Sequence, residues 1–460
     1  MDPIPYGKQS ISETDIKAVE EVLRSDFLTQ GPKLKEFEEA FAAYVGSRYA
    51  VGVANGTAAL HLSAIALNVQ PGDKVITTPI TFAATANCVR YCGGEVVFAD
   101  IDPETYLLDI NEVRKLLEAA PKGTYKGIIP VDFAGLPVNL EEYRKLTDEY
   151  NLWLLEDACH APGGYFTDSQ GQKQHCGNGN YADLAIFSFH PVKHIAAGEG
   201  GMITTNNEEL YNKLQLLRTH GITKDKDKFQ NSIEMAVGEQ STVSEQSAVS
   251  SQQSAVSGKQ STTHGSQLTA HSSRLTAHPG WYMELQELGY NYRLSELHAA
   301  LGLSQLQRAD ENLKRRQEIA QKYDDSFKEL SIRRQKVSSE QSAVSSKQST
   351  AHSSQLTAHG SQSTAHGSRL TAHAYHLYII HTPNRADLFN HLHQQNILAQ
   401  VHYIPLHLMP YYQEQGWKAG DLPNAEAYYQ GCLSIPMYHG MKKEEQDFVI
   451  ESIRKMAVGD

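Results

Sequence analysis

Three short strings in this 460-residue chain hold residues whose types and spacing could do chemistry. Asn55-Gly56-Thr57-Ala58 reads as a turn into a helix, and a helix start offers free N–H groups and a positive dipole end to a phosphate. LWLLEDACHA ends an apolar run on Asp157, where a carboxylate could hold a proton on a buried heterocyclic nitrogen. FSFHPVKHIAAGEGG, residues 187–201, sets Lys193 among small and apolar neighbours. Desolvation there lowers an amine's pKa and suits it to forming a Schiff base with a carbonyl. Ser188 adds a hydroxyl five residues earlier, and GEGG lets backbone approach a ligand. Each string also has a plainer reading. A strand-terminal Asp often caps the next helix, a loop lysine is most often solvated, and NGT is a common helix cap. Their order decides more than any one of them: phosphate turn, then Asp, then Ser and Lys, with Lys193 following Asp157 by 36 residues. That set is what pyridoxal phosphate requires.

The elements that must position these residues are short apolar strands alternating with helices. Residues 12–24 carry a Ser12 cap and apolar Ile16, Val19, Val22 and Leu23 at helical spacing, and 33–44 repeats the pattern. Strands are expected at 49–54, 74–78, 95–101, 127–133, 152–157, 184–189 and 201–205, with helices at 109–119 and 139–150 between some of them. This alternation predicts an α/β fold with a mostly parallel sheet covered on both faces, and ligands beyond the carboxyl ends of its strands. Residues 293–330 read as one long helical stretch. After 373, an alternating strand YHLYIIH, a helix near 386–395 and a strand-like ILAQVHYIP predict a smaller α+β domain. The expected organisation is a large domain over 1–237, a low-complexity insertion over 238–279, and a continuation with a linking helix over 280–337. A second insertion over 338–373 and a small domain over 374–460 complete it.

The insertions explain a modest 40% hydrophobic content. Residues 244–278 and 339–373 are built of seven-residue units such as SEQSAVS, SSQLTAH and GSRLTAH. No sustained pair of apolar positions supports a coiled coil. Histidines recur at 264, 271, 278, 352, 359, 366 and 373, but without carboxylate or thiol partners for a metal. Such polar composition predicts segments that cannot offset their ordering entropy. The balance of 53 Asp plus Glu against 41 Lys plus Arg, a net charge of −12, argues against nucleic acid or an anionic membrane as partner. No apolar run approaches a membrane span, and MDPIPYGKQS lacks the basic and apolar regions of a signal peptide. Five cysteines without paired or zinc spacing (Cys88, Cys92, Cys159, Cys176 and Cys432) predict reduced thiols and a cytoplasmic protein, with no metal site.

The strings ANGTAALHL, TTPITFAATAN, EDACHA, SFHPVKHIAAGEGGMITT, LRTHG and GYNYRLSELHAALGLSQL occur in one order along nearly the whole chain outside the insertions. In them the sequence resembles the DegT/DnrJ/EryC1/StrS sugar aminotransferases, of the type I fold of pyridoxal-phosphate-dependent transferases. The resemblance implies pyridoxal 5'-phosphate held covalently on Lys193, with Asp157 on its ring nitrogen. It implies Phe82 stacked on the ring and His160 near the ring hydroxyl. Gly56, Thr57, Ala58 and Ser188 would hold the phosphate, together with Asn291 from the other subunit of a homodimer with shared sites. Some members have His at the lysine position and act as dehydratases; Lys193 favours transamination, although His194 stands where Asn is common. LTQG, VDFAG and ILAQVHYIP are most similar to the branch serving pseudaminic acid synthesis. Its members aminate UDP-2-acetamido-2,6-dideoxy-β-L-arabino-hex-4-ulose at C4 with L-glutamate as donor. That implies substrate contacts at Tyr6, Asp26, Phe27, Leu28, Thr29, Gly56, Ser188, Asn291, Val401, His402, Tyr403 and Ile404. Two alternatives stand beside it: a GDP- or dTDP-linked 4-ketosugar as acceptor, or a binding protein that keeps the fold without turnover.

Overall fold

Seven of the apolar runs become the strands of one sheet. The computed structural model describes residues 2–230, 281–337 and 371–457. The strands are β1 (Tyr49–Val53), β2 (Lys74–Thr77), β3 (Glu95–Phe98), β4 (Tyr125–Ile129), β5 (Trp153–Asp157), β6 (Leu184–Ser188) and β7 (Gly201–Thr205). Their order across the sheet is β1-β7-β6-β5-β4-β2-β3. Pairings from β6 through β5, β4 and β2 to β3 are parallel, whereas β7 runs antiparallel to both β6 and β1. The parallel strands are nearly continuous apolar runs because helices cover both faces. Ile128, Leu154, Leu155 and Ile186 are wholly buried.

The helices follow from their caps and faces. In α1 (Glu13–Leu23), Ser12 and Asp15 form a reciprocal capping box, 3.2 Å and 2.8 Å. Asp15 is fully buried and also accepts from Ser304, Gln305 and Arg308, which ties α1 across to a later helix. In order come α2 (Pro32–Val45), α3 (Gly56–Ala66), α4 (Ala83–Tyr91), α5 (Ile110–Glu118), α6 (Leu140–Tyr150) and α7 (Glu208–Arg218). α3 buries nearly its whole circumference, so it runs through the core with its N-terminus beside the ends of β1 and β6. The long stretch 293–330 is two helices, α8 (Glu296–Leu306) and α9 (Ala309–Phe327). Arg308 leaves helical geometry at φ −111°, ψ 9°, as its guanidinium reaches Asp15 at 2.5 Å.

A three-stranded antiparallel sheet joins β8 (Arg333–Arg334), β9 (Tyr378–His381) and β10 (Cys432–Ile435). With α10 (Arg385–Gln394) and the helix Lys443–Ala457 it encloses a second core. Ile319, Tyr323 and Phe327 of α9 and the N-terminal Ile4 also belong to this core, so the smaller unit is wider than 374–460.

The second insertion ends earlier than its composition suggests. Thr371–Ala372 pair antiparallel with Phe166 and Tyr165, and His373 is buried with Nε2 3.1 Å from Gln335 Oε1. Burial pulls its pKa down to about 3, so this histidine is a neutral packing residue. The other repeat histidines, with 244–278 and 339–370, lie outside the described residues. All five cysteines are free thiols. Among the described residues no helix is long and apolar enough to cross a membrane.

Candidate active site

The carboxyl ends of β5 and β6 and the start of α3 open onto one cavity of about 460 Å3. Asn55 caps α3 by accepting from the Ala58 N–H at 2.8 Å, which leaves the N–H groups of Gly56 and Thr57 at the helix start. Ser188 ends β6 directly against this turn. A Cβ at position 56 would lie 2.9 Å from the Ser188 Cβ, and one at 201 would lie 2.5 Å from the Asn55 carbonyl oxygen. Glycine at both positions lets β6, β7 and the helix start close into a cradle with a hydroxyl at its rim.

Asp157 ends β5 at the cavity floor. Thr85 Oγ1 donates to its Oδ2 at 2.7 Å and the Cys159 N–H to its Oδ1 at 3.2 Å. Thr81 supports Thr85 at 2.8 Å. Two hydrogen bonds leave carboxylate acceptor capacity unspent, and among the described residues no cation forms a salt bridge with it. Behind Asp157, Asp132, Glu156 and Cys176 bring possible ligand atoms within 4.8 Å of one another. Burial raises the Asp132 carboxyl to about 6 and the Glu156 carboxyl well above its usual range. Burial and mutual repulsion of two carboxyls this close favour a proton on the pair.

Lys193 stands in the loop after β6, its N–H bonded to the His190 carbonyl at 2.8 Å. Desolvation lowers its pKa, partly offset by Cys159 and Asp157. Burial likewise holds His160, His194, His376 and His402 neutral, reinforced at each by the lysine charge; His402 falls to about 4. The outer wall is aromatic. Tyr403 lies 6.4 Å from Phe82 and 6.5 Å from His160, and Tyr6 lies 5.0 Å from His402, centroid to centroid. Phe82, at the start of α4, is 62% exposed, a large ring facing open space beside the cavity.

The model of the DegT/DnrJ/EryC1/StrS aminotransferase family matches residues 9–260 and 256–454. The chain belongs to that family. It is 33% identical to the UDP-4-amino-4,6-dideoxy-N-acetyl-beta-L-altrosamine transaminase of Campylobacter jejuni, over 98% of this chain and 96% of the relative. Its fold superposes on Helicobacter pylori PseC, an aminotransferase of pseudaminic acid biosynthesis, with TM-score 0.74 and 28% identity over the whole of both chains. It also superposes on a putative sugar aminotransferase of Streptococcus pneumoniae in its pyridoxal-phosphate form, with TM-score 0.73 and 25% identity over 99% of both chains. The protein is a pyridoxal-phosphate-dependent sugar aminotransferase acting on a nucleotide sugar.

The residues present fit that cofactor. An aminotransferase needs a phosphate cradle, an anion for the ring nitrogen, an amine and a ring-stacking face. The glycine-lined helix start, the carboxylate without a cation, the desolvated lysine and the exposed Phe82 supply them in one cavity. Of the residues expected from sequence, Tyr6, Gly56, Thr57, Phe82, Asp157, His160, Ser188, Lys193, His402 and Tyr403 line it. Ala58 does not: it is buried in α3 and its N–H is spent on Asn55. Asp26, Phe27, Leu28 and Thr29 are exposed in the turn before α2, and Asn291 and Ile404 are also exposed, outside the cavity. Val401 is half-buried against the core. Sequence reasoning missed Thr85, which sits three residues after Phe82 on a buried helix face, and His376, for which no motif gave a signal.

Proposed function

We propose that this aminotransferase moves an amino group from L-glutamate to C4 of UDP-2-acetamido-2,6-dideoxy-β-L-arabino-hex-4-ulose. The observation that carries a transamination at this cavity is a desolvated Lys193 and a cation-free Asp157 opening onto one space. The choice of sugar rests on the name of the Campylobacter relative, whose product is a 4-amino-4,6-dideoxy sugar on UDP.

Bound pyridoxal phosphate supplies an electron sink and carries the amino group from donor to acceptor. Lys193 is the residue that would hold it covalently. Asp157 keeps a proton on the ring nitrogen, and Thr85 fixes the carboxylate for that task. The Gly56 and Thr57 N–H groups and the Ser188 hydroxyl bind the phosphate. Phe82 would stack on one ring face, and His160, a neutral imidazole, would serve the ring hydroxyl. Lys193, as a free amine with a pKa lowered by burial, would be the group able to take up and give back a proton at substrate C4. Tyr6, His402 and Tyr403 shield these atoms from water at the outer wall.

A second copy completes the site in this reading. Asn291, exposed here, reaches the phosphate in the other subunit. Phe27, Leu28, Trp281, Met283, Leu285 and Leu288, all about half exposed or more, form apolar surface that the second copy covers. The turn 26–29 and Ile404 then face the nucleotide sugar. Five free thiols fit a reducing cytoplasm. The test is a panel of UDP-, GDP- and dTDP-linked 4-ketosugars with glutamate, read by mass spectrometry for the 4-amino product. The UDP-linked N-acetyl sugar should turn over fastest; a dTDP- or GDP-linked sugar turning over as fast or faster would overturn the assignment.

A further inference from the structure

Lys193 has a partner that the proposed reaction does not use. His376, just before β9, brings Nε2 to 3.5 Å from Lys193 Nζ, the one side-chain hydrogen bond Nζ makes among the described residues. The imidazole is buried, its ring centroid 4.2 Å from that of His160 and 5.7 Å from that of His194. Its backbone is fixed from below. Arg316 of α9 is 1% exposed, and its Nη1 donates to the carbonyls of Tyr375 at 3.1 Å, His376 at 3.4 Å and Met437 at 3.1 Å. Among the described residues no carboxylate forms a salt bridge with this guanidinium. A buried cation satisfied by carbonyls alone is costly, and it is retained here where it pins the segment that carries His376.

The charges around the ring decide which way the proton points. Burial, Lys193 and Arg316 all disfavour a charged His376. The groups facing Lys193 are Asp157, Cys159, His160, His194, His376 and His402, and the four imidazoles among them are all held neutral. A neutral imidazole can accept from an ammonium without competing for its proton.

We infer that His376 is a positioning residue for the free lysine: its Nε2 accepts a Lys193 Nζ–H and holds the nitrogen at one place over the cavity once Lys193 is released from the cofactor. This rests on the reading of Lys193 as the cofactor lysine. A long, flexible side chain otherwise spends its time among several rotamers, and proton transfer needs the nitrogen at one of them. Acceptance of the hydrogen bond also stabilises the ammonium, so the histidine opposes the drop in pKa that burial imposes on the lysine.

The experiment compares His376→Gln, which keeps an acceptor, with His376→Leu, which keeps bulk without one. Lys193 is titrated in cofactor-stripped protein by competitive amine labelling and mass spectrometry. In His376→Leu the midpoint should fall by about one unit, and in His376→Gln it should stay near the unsubstituted value. With cofactor restored, kcat should drop roughly 10- to 100-fold in the Leu variant, with KM for glutamate within about twofold, and recover mostly in the Gln variant. If His376→Leu does not fold, His376→Phe takes its place. An unchanged midpoint and kcat in the Leu variant overturns the inference. So does equal loss in Leu and Gln, which would make the ring packing only. Borohydride reduction and peptide mapping of the unsubstituted holoenzyme tests Lys193 separately: a tag elsewhere defeats the cofactor-lysine reading, whereas a tag at Lys193 with unmoved His376 variants defeats only this one.

Discussion

The floor of the cavity and its approaches are built in different ways. The floor is assembled from strand ends and one helix start: Asp157 closes β5, Ser188 closes β6, and Gly56 opens α3. These elements are locked by the central sheet, and Asp157 is further held by Thr85 and the Cys159 N–H. The approaches are irregular backbone at the surface. Among the described residues, the turn 26–29 meets the rest of the chain through Thr29 paired with Ser295 and the Leu28 carbonyl accepting from the Glu296 N–H, while Asn291 bridges to Thr219. The contrast separates chemistry from recognition. A carboxylate that is to hold a proton needs a fixed position, which the end of a strand provides for Asp157, whereas Lys193 follows in the loop after β6. In the proposed reading, the groups that would choose a sugar are on segments that can vary without disturbing the sheet.

Substitutions on the floor should therefore have the largest effects. If Lys193 anchors the cofactor and moves a proton as proposed, Lys193→Ala should lose about 10⁴-fold or more in turnover, the upper range for such a residue. Borohydride labelling at position 193 should vanish with it, while the variant keeps a melting temperature close to that of the unsubstituted protein, because the side chain makes one weak hydrogen bond. Persistent labelling of the variant would move the anchor elsewhere. Asp157→Asn should cost roughly 10²-fold, about 2.7 kcal/mol in the barrier. The amide still accepts from Thr85 but cannot hold a proton on the ring nitrogen, so stability should change little while turnover falls. Near-normal turnover would reduce Asp157 to a structural acceptor.

The same contrast governs what could be read from the sequence. Strands β1 to β7 were legible because each is a short apolar run, and the positions of Asp157 and Ser188 because they stand at the ends of two of those runs, with Lys193 in the loop that follows. The antiparallel insertion of β7 was not, since GMITT is as apolar as its parallel neighbours and nothing local fixes strand direction. The break between α8 and α9 was hidden because the apolar spacing continues through it; the cause is Arg308 turning to a buried carboxylate almost 300 residues away in sequence. His373 looked like one more repeat histidine, yet pairing of Thr371–Ala372 with Tyr165–Phe166 makes it part of the fold. His376 reached the site only through tertiary packing. Ala58 could not be placed from the motif alone: the expected helix does start there, but the capping Asn55 takes the Ala58 N–H.

Mixing subunits sharpens the contrast further. If the floor is complete within one chain and Asn291 is lent to the other, Lys193→Ala and Asn291→Ala homodimers should both be weak. Subunit exchange should then restore about a quarter of the unsubstituted sites, since half the dimers are mixed and each mixed dimer has one intact site. The Asn291→Ala homodimer should lose roughly tenfold, in the range of one neutral hydrogen bond to a charged phosphate. No recovery after exchange would show that each chain supplies its own whole site.

The smallest effect is expected where both repeat segments leave and re-enter the fold. On either side of the first, Phe229 and Tyr282 pack edge to face at 4.8 Å, and the Gln230 N–H reaches Glu284 at 2.7 Å. Across the second, Gln335 meets His373 at 3.1 Å. Each excursion thus starts and ends at one clasp made of described residues, which fixes the distance between its two ends. Going from ~10 to ~45 residues between clasped ends costs about 1.3 kcal/mol, which shortening would return. Replacing 339–369 by a short Gly/Ser linker should leave turnover within about threefold and raise the melting temperature slightly. The equivalent replacement of 244–278 is the more sensitive one, because its C-terminal flank continues toward Asn291 and the shared site. It too should keep turnover if Phe229–Tyr282 stays paired, and a double replacement should behave as the sum of the two, since the clasps share no residue. A loss of more than tenfold in the 339–369 replacement, with the melting temperature unchanged, would mean that the repeat segment itself contributes to the reaction.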